Sequence, residues 1–311
     1  MTSRFHCPTP WLQQSLKGQR YLITGVRCGL GYELAQQLLK QGATVLGVSR
    51  NRCDIDNENF QWQQLDLSDL PTVQQFTQSL LNMNMPFHGL INNAATIPHT
   101  LQYTTQGLEM QWCVNYLSPV VLTESLQSLL KGERVVHLSS SAHHSVHGRL
   151  GTVYFDDIHF KDRSYDHWVA YAQSKLALTI HAKQFAQHHT DISIVSVHPG
   201  WVDTDISQSR VPKWLRPTLN PYLRRKGLCS QWEGVQPILF ALLAPVDQLH
   251  SGELFCQFGF FEGDTRPHIG WKTPSPNPIV DDPIVQKTLT HLTNSELSSI
   301  LKPSWTTDSQ Y

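Results

Sequence analysis

Short apolar runs recur along the chain, separated by longer amphipathic segments. RYLIT (20–24), ATVLGVS (43–49), GLINN (89–93), RVVHLS (134–139) and ISIVSVH (192–198) are almost continuously apolar rather than alternating. That pattern suits strands covered on both faces, as in a parallel sheet sandwiched between helices. FQWQQLD (60–66) and GELFCQ (252–257) are two further candidates. Helical segments fall near 30–41, 68–83, 104–130, 167–189 and 231–244, with a last helix near 284–300. Strand, helix, strand repeated in this order predicts an α/β fold, a doubly wound parallel sheet of about seven strands.

Two segments break the alternation. Residues 142–166 form a long connection after the fifth strand, and residues 205–230 are rich in Pro, Arg and large apolar groups. Long loops at the carboxyl ends of parallel strands are where such sheets handle substrate. Within the second, Arg210, Lys213, Arg216, Arg224, Arg225 and Lys226 are interleaved with Trp214, Leu215, Leu219, Tyr222 and Leu223, and residues 209–227 hold no acid. One reading is a solvated loop whose aromatics pack on the domain. The other is a lid whose apolar side chains line the pocket and whose cations favour an acidic substrate or transient contact with an anionic membrane surface. With no internal repeat or long linker, the expected layout is an N-terminal extension (1–17), a single domain (18–260, lid at about 205–230) and a C-terminal extension (261–311).

Composition narrows the partners. A net charge of -1 gives no general electrostatic reason to expect nucleic acid. No apolar run approaches the roughly 20 residues of a membrane span, and the first nineteen residues lack the apolar core of a signal peptide. The six cysteines are scattered without a CxxC pair, which favours reduced thiols over a disulfide scaffold or a zinc site. These readings predict a soluble, cytoplasmic protein.

The stretch YLITGVRCGLGYELAQQLL turns a strand into a helix through Gly25, Gly29 and Gly31. Glycines at such a turn let backbone approach a pyrophosphate, and the helix beyond presents free N–H groups and a positive dipole end. The spacing Thr24-Gly25-x-x-x-Gly29-x-Gly31 is one residue longer than the GxGxxG dinucleotide fingerprint. Further motifs follow in order: DLSD with Asp66, NNAA with Asn92, VNYLSP with Asn115, LSS with Ser140, YAQSK with Tyr171 and Lys175, and HPGWVDTD with Pro199, Gly200 and Thr204. In this conjunction, over about 18–260, the chain resembles the short-chain dehydrogenase/reductase family. VVHLSSSAHHSVHG and FDDIHF resemble its retinol-dehydrogenase-like branch. The NYLSP stretch departs from the family's common NHLGH form at Tyr116, Ser118 and Pro119.

The resemblance implies a Rossmann-type fold and a nicotinamide cofactor held by Thr24, Gly25, Arg27, Gly29, Leu30, Gly31, Arg50, Asp66, Leu67, Asn92, Ala94, Pro199, Gly200, Val202 and Thr204, together with Tyr171 and Lys175. Asn92 is expected to border the adenine ribose and hold the central sheet. A dinucleotide site for NAD places an acid after the second strand. Here Ser49, Arg50 and Asn51 occupy that place with Arg27 in the glycine turn, which favours NADP(H) over NAD.

In catalysis the resemblance makes Tyr171 the proton donor, Lys175 the cation that lowers its pKa, Ser140 the substrate-orienting hydroxyl and Asn115 the holder of a relay water. Tyr171 and Lys175 are four residues apart, on one helix face. His143, His144 and His147 are closely spaced, but no Asp, Glu or Cys set completes a metal site beside them, so no metal is expected. The leading reading is an NADP(H)-dependent oxidoreductase interconverting carbonyl and alcohol on a lipophilic small molecule, with a homodimer left open. The alternatives are a non-catalytic nucleotide-binding sensor or scaffold, and a C=C reductase.

Overall fold

The computed structural model describes residues 6–204, 212–257 and 275–302. Seven parallel strands, β1 (Arg20–Thr24), β2 (Thr44–Ser49), β3 (Phe60–Gln64), β4 (Gly89–Asn92), β5 (Arg134–Leu138), β8 (Ser193–His198) and β9 (Leu254–Cys256), lie in the order β3-β2-β1-β4-β5-β8-β9. All six pairings are parallel. The chain starts in the middle, winds outward to β3, then crosses back to build the other half. Strand order therefore reverses between β1 and β4, and the crevice at that switch point opens at the carboxyl ends of the strands.

Continuous apolar strands follow from two-sided burial. Along β1, Tyr21 and Ile23 face one apolar layer while Leu22 faces the other. The first layer contains α2 (Gly29–Lys40) and α8 (Gln231–Leu243), with Leu34, Leu38, Val235 and Leu239 buried against the sheet. The second contains α3 (Leu70–Asn82), α5 (Ser118–Ser125) and α6 (His167–His188). β3 lies at the sheet edge and is only partly buried, which accounts for its polar Gln-rich sequence. Between β5 and α6 the long connection forms a small antiparallel hairpin of β6 (Ser145–Val146) and β7 (Arg149–Leu150).

The helix expected over 104–130 starts later. Gly107 takes φ +78°, and Glu109 caps a short helix α4 (Met110–Trp112), its carboxylate accepting from the Trp112 N–H at 2.7 Å. A π-helical turn over Cys113–Leu117 then leads into α5. Local turn chemistry outweighs the apolar periodicity there.

The first and last described segments join the core. The short helix α1 (Thr9–Leu12) lies between Cys7 and Leu16, which are both buried, and the Cys7 N–H donates to Gln236 Oε1 at 2.9 Å. The last helix, α9 (Pro283–Ile300), buries Leu289, Thr293 and Leu297. Thr293 lies 2.6 Å from the Tyr116 hydroxyl, and Glu296 accepts from Trp112 Nε1 at 2.9 Å. Ser118 donates to the Leu67 carbonyl at 2.6 Å. The departures at Tyr116 and Ser118 thus have structural partners, one of them on α9.

In the expected lid, 205–211 lie outside the described residues, and the remainder holds a 3-10 turn (Lys213–Leu215) and the helix α7 (Arg216–Arg225). Trp214 is 79% exposed and Tyr222 57% exposed, so neither side chain lines the pocket as the lid reading expected. Tyr222 instead sits under the Lys226 ammonium at 5.9 Å, and Asn220 tethers α7 to Asp203. No helix among the described residues is long and apolar enough to cross a membrane.

Leu297 is fully buried. Leu297→Ala should lower unfolding stability by about 2–5 kcal/mol, the usual result of emptying a core leucine site. Urea denaturation with an unchanged midpoint would mean that α9 is not part of the cooperative core.

Candidate active site

At the β1–α2 turn, backbone approaches backbone. Gly25 has φ +76°, and a Cβ there would come within 2.9 Å of Ala94 Cα. At Gly31 a Cβ would meet the Gly25 carbonyl at 2.4 Å. Thr24 fixes the turn from below, its hydroxyl accepting from the Asn93 and Ala94 N–H groups, both at 3.0 Å. The Asn93 side chain completes the clamp, donating to the carbonyls of Thr24 at 2.8 Å and Gly25 at 3.3 Å. The N-cap residue of α2, Cys28, makes no side-chain cap hydrogen bond.

This turn opens into a cleft of about 1060 Å³. Of the expected cofactor residues, Gly25, Arg27, Gly29, Leu30, Arg50, Asp66, Leu67, Ala94, Pro199, Gly200, Val202 and Thr204 line it. Arg27 and Arg50 are exposed, and neither forms an ion pair among the described residues. The nearby Asp54 is paired with Arg52 at 2.6 Å, so no acid from that segment faces the cleft. A glycine cradle too tight for a Cβ, a helix N-terminus whose N-cap side chain makes no cap bond, and two guanidiniums without an ion pair among the described residues fit a phosphate-bearing dinucleotide.

Thr24, Gly31, Asn92 and Asn115 support the cleft without lining it. Asn92 is buried, and its Nδ2 donates to Thr123 Oγ1 and His137 Nδ1, both at 3.1 Å. An amide N–H only donates, so His137 Nδ1 accepts and the ring proton sits on Nε2. Nε2 then donates to His181 Nδ1 at 3.1 Å, and His181 Nε2 donates to Glu124 Oε1 at 3.1 Å. Burial holds the His137 pKa well below its usual range, which agrees with a neutral ring. Asn92 therefore ties β4 to β5 and α5 rather than bordering the cleft, and Asn93 takes the cleft-facing place. The signal for Asn93 was present in the NNAA motif, where the strand ends one residue earlier.

Ser140, Tyr171 and Lys175 come together at the other end of the cleft. Asp166 caps α6, its carboxylate accepting from the Trp168 and Val169 N–H groups at 2.8 and 3.1 Å. Lys175 is almost fully buried, and its ammonium donates to the Leu138 carbonyl at 2.5 Å. It also lies 5.7 Å from the Tyr171 ring centroid. Burial pulls Lys175 down to about 7 and pushes Tyr171 up to about 12, with a hydrogen bond from the Ser140 hydroxyl opposing the latter. Desolvation is the leading cause for both groups, and it favours the neutral form of each. Tyr171 is held in its protonated form.

Asn115 sits in the π-helical turn. Its Nδ2 donates to the Thr96 carbonyl at 3.1 Å and to Ser174 Oγ at 3.2 Å, while Oδ1 accepts from the Thr96 N–H at 2.8 Å. Both amide hydrogens are committed, so the side chain braces α6 beside Lys175 and has no N–H left for a relay water.

The loop histidines have protein partners: His143 bonds the Ser140 carbonyl at 2.5 Å and Ser275 at 2.8 Å, and His147 pairs with Asp166 at 3.1 Å. No group of three or more His, Cys, Asp or Glu able to hold a metal occurs among the described residues.

A lysine that titrates near 7 when folded and 10.5 when unfolded binds fewer protons in the folded state between those values. Stability linked to Lys175 should therefore rise with pH through that window. Between pH 7 and 8, below the range in which buried thiols complicate the comparison, the wild type should gain about 1 kcal/mol relative to Lys175→Met. Parallel urea curves for the two proteins at both pH values would show that the ammonium carries no burial penalty.

The sequence profile described as short chain dehydrogenase matches residues 19–154. The chain is 32% identical to retinol dehydrogenase 12 of Bos taurus over 257 residues, covering 77% of this chain and 78% of the relative. It is 29% identical to retinol dehydrogenase 11 of Mus musculus over 276 residues, covering 82% and 83%. A solved structure of an uncharacterised Mycobacterium paratuberculosis protein superposes with TM-score 0.70 at 23% identity, covering 92% of this chain and 96% of that one. NADPH-bound carbonyl reductase from chicken fatty liver gives TM-score 0.57 at 17% identity, covering 79% and 94%. These structural likenesses establish the fold.

Proposed function

The chain belongs to the short-chain dehydrogenase family, in its retinol-dehydrogenase-like branch, and from that premise we propose that it reduces a lipophilic aldehyde or ketone with NADPH. That it is an oxidoreductase acting on alcohol and carbonyl groups follows from its relatives. The cofactor type, the substrate class and the roles of individual residues are our reading.

The observation that carries this reading is the meeting of Ser140, Tyr171 and Lys175 at one end of a cleft whose other end is a glycine cradle with Arg27 and Arg50. The glycine turn and the α2 N-terminus would hold the diphosphate, and the two arginines a 2′-phosphate. Asp66 and Leu67 would border the adenine, and Pro199, Gly200, Val202 and Thr204 the nicotinamide. When bound, the cofactor supplies the hydride.

The protein's part is orientation and proton delivery. Ser140 hydrogen-bonds the substrate oxygen, and Tyr171 passes its proton to that oxygen as charge develops there. The protonated phenol is the form suited to reduction. Lys175, braced on Leu138, stands behind the ring to favour the tyrosinate left after transfer. Met110, Val114, Val146, Trp168 and Trp201 line the same cleft and support an apolar substrate body. The chicken carbonyl reductase structure is described as NADPH-bound, which supports the same cofactor class here.

Two measurements test the assignment. Tyr171→Phe should abolish most turnover of a long-chain aldehyde such as decanal while leaving NADPH affinity nearly intact; wild-type turnover would remove Tyr171 as the donor. Arg50→Ala should weaken NADPH binding by roughly 1–3 kcal/mol, the scale of a lost charge-assisted hydrogen bond, and leave NADH almost unchanged. Equal wild-type affinity for the two cofactors would count against NADPH.

A further inference from the structure

The loop that carries Ser140 is held from the far end of the chain. Asn277 is fully buried, and its Nδ2 donates to the His143 carbonyl at 2.7 Å and to the Gly151 carbonyl at 2.9 Å. Its Oδ1 accepts from the Ile279 N–H at 3.1 Å, which fixes the amide orientation. The Asn277 amide thus bridges two points of one loop that are eight positions apart in sequence. At Gly151 a Cβ would lie 2.4 Å from the His143 carbonyl, so the two strands of this loop already touch.

His143 is the next link. It is fully buried, and its Nδ1 lies 2.5 Å from the Ser140 carbonyl, which also accepts from the His143 backbone N–H at 3.1 Å. A carbonyl only accepts, so the ring proton is on Nδ1. Burial lowers the imidazole to about 4, leaving Nε2 unprotonated at neutral pH. Nε2 can then only accept, and the Ser275 hydroxyl 2.8 Å away is the donor.

The chain of donors reaches the candidate active site. Ser140 is extended, with φ -154° and ψ 155°, and its hydroxyl accepts from the Ala142 N–H at 3.3 Å as the cap of the 3-10 turn Ser141–His143. Any shift of that turn moves the hydroxyl. The strap itself is tied to α9, where Gln286 Nε2 donates to the Val280 carbonyl at 2.7 Å.

We propose that Ser275–Asn277 form a strap that positions the Ser140 hydroxyl, with His143 as the positioning residue and Asn277 as its anchor. This rests on the reading of Ser140 as the group that orients the substrate oxygen.

The test is a double-mutant cycle on the full chain with NADPH and decanal. Asn277→Ala should lower kcat by roughly tenfold while the NADPH Kd stays within about twofold. In a Ser140→Ala background the same substitution should change kcat by less than about twofold, because the hydroxyl it aligns is gone. Equal losses in both backgrounds, or a wild-type kcat for Asn277→Ala, would overturn the strap. Wild-type turnover by Ser140→Ala alone would instead remove the reading of Ser140, so the two failures are distinguishable. Should Asn277→Ala not fold, Ser275→Ala enters the same cycle, with a loss of about threefold that Ser275→Thr restores. Hydrogen–deuterium exchange supplies a readout free of turnover: in the strap variant, exchange across 139–146 should quicken while β5 is unchanged. Unaltered exchange across that loop would also overturn the strap.

Discussion

An ammonium removed from water needs a strong acceptor, and Lys175 has one in the Leu138 carbonyl at 2.5 Å. That single bond joins the middle of α6 to the carboxyl end of β5. Because Tyr171 lies one turn before Lys175 on the same helix, the bond also sets the phenol beside Ser140, two residues past Leu138. The proposed chemistry depends on this crossing of helix and strand. Asn115, through Ser174, and Asn92, through His137 and His181, brace the same region from the π-helical turn and from β4.

The site is supported from both ends of the molecule. Asn93 and Thr24 hold the glycine turn closed beneath the expected diphosphate, with bonds of 2.8–3.0 Å. At the opposite end, residues of the last described segment reach Trp112, Tyr116, His143 and Gly151. A helix and a strap from the C-terminal part of the chain therefore bear on the elements that carry Asn115 and Ser140. Burial biases both Lys175 and Tyr171 toward their neutral forms, the lysine down to about 7 and the phenol up to about 12.

Much of this was legible in the sequence, for physical reasons. Strands buried on both faces must be continuously apolar, so the five central strands stand out from RYLIT to ISIVSVH. The glycine turn and the YAQSK motif are local devices, and local spacing reveals them. What was hidden depends on distant partners or on single-residue geometry. Asn92 ends β4 pointing into the sheet, and only the next residue turns toward the cleft, a one-step parity that motif matching does not resolve. The turn at Gly107 and the cap at Glu109 delay the helix before Asn115 against its apolar periodicity. Trp214 and Tyr222 look like pocket residues in one dimension and face solvent in three. The bonds from Thr293 to Tyr116 and from Asn277 to His143 span 177 and 134 residues, beyond any local pattern.

In the proposed reaction this cleft delivers hydride from NADPH to a lipophilic carbonyl carbon and a proton to its oxygen. The most direct measurement uses NADPH deuterated at the reactive nicotinamide carbon, with decanal as acceptor and mass spectrometry of the decanol formed. One deuterium should appear on the carbinol carbon from one of the two cofactor epimers and none from the other. Decanol without label from either epimer, or label at any other carbon, would contradict it.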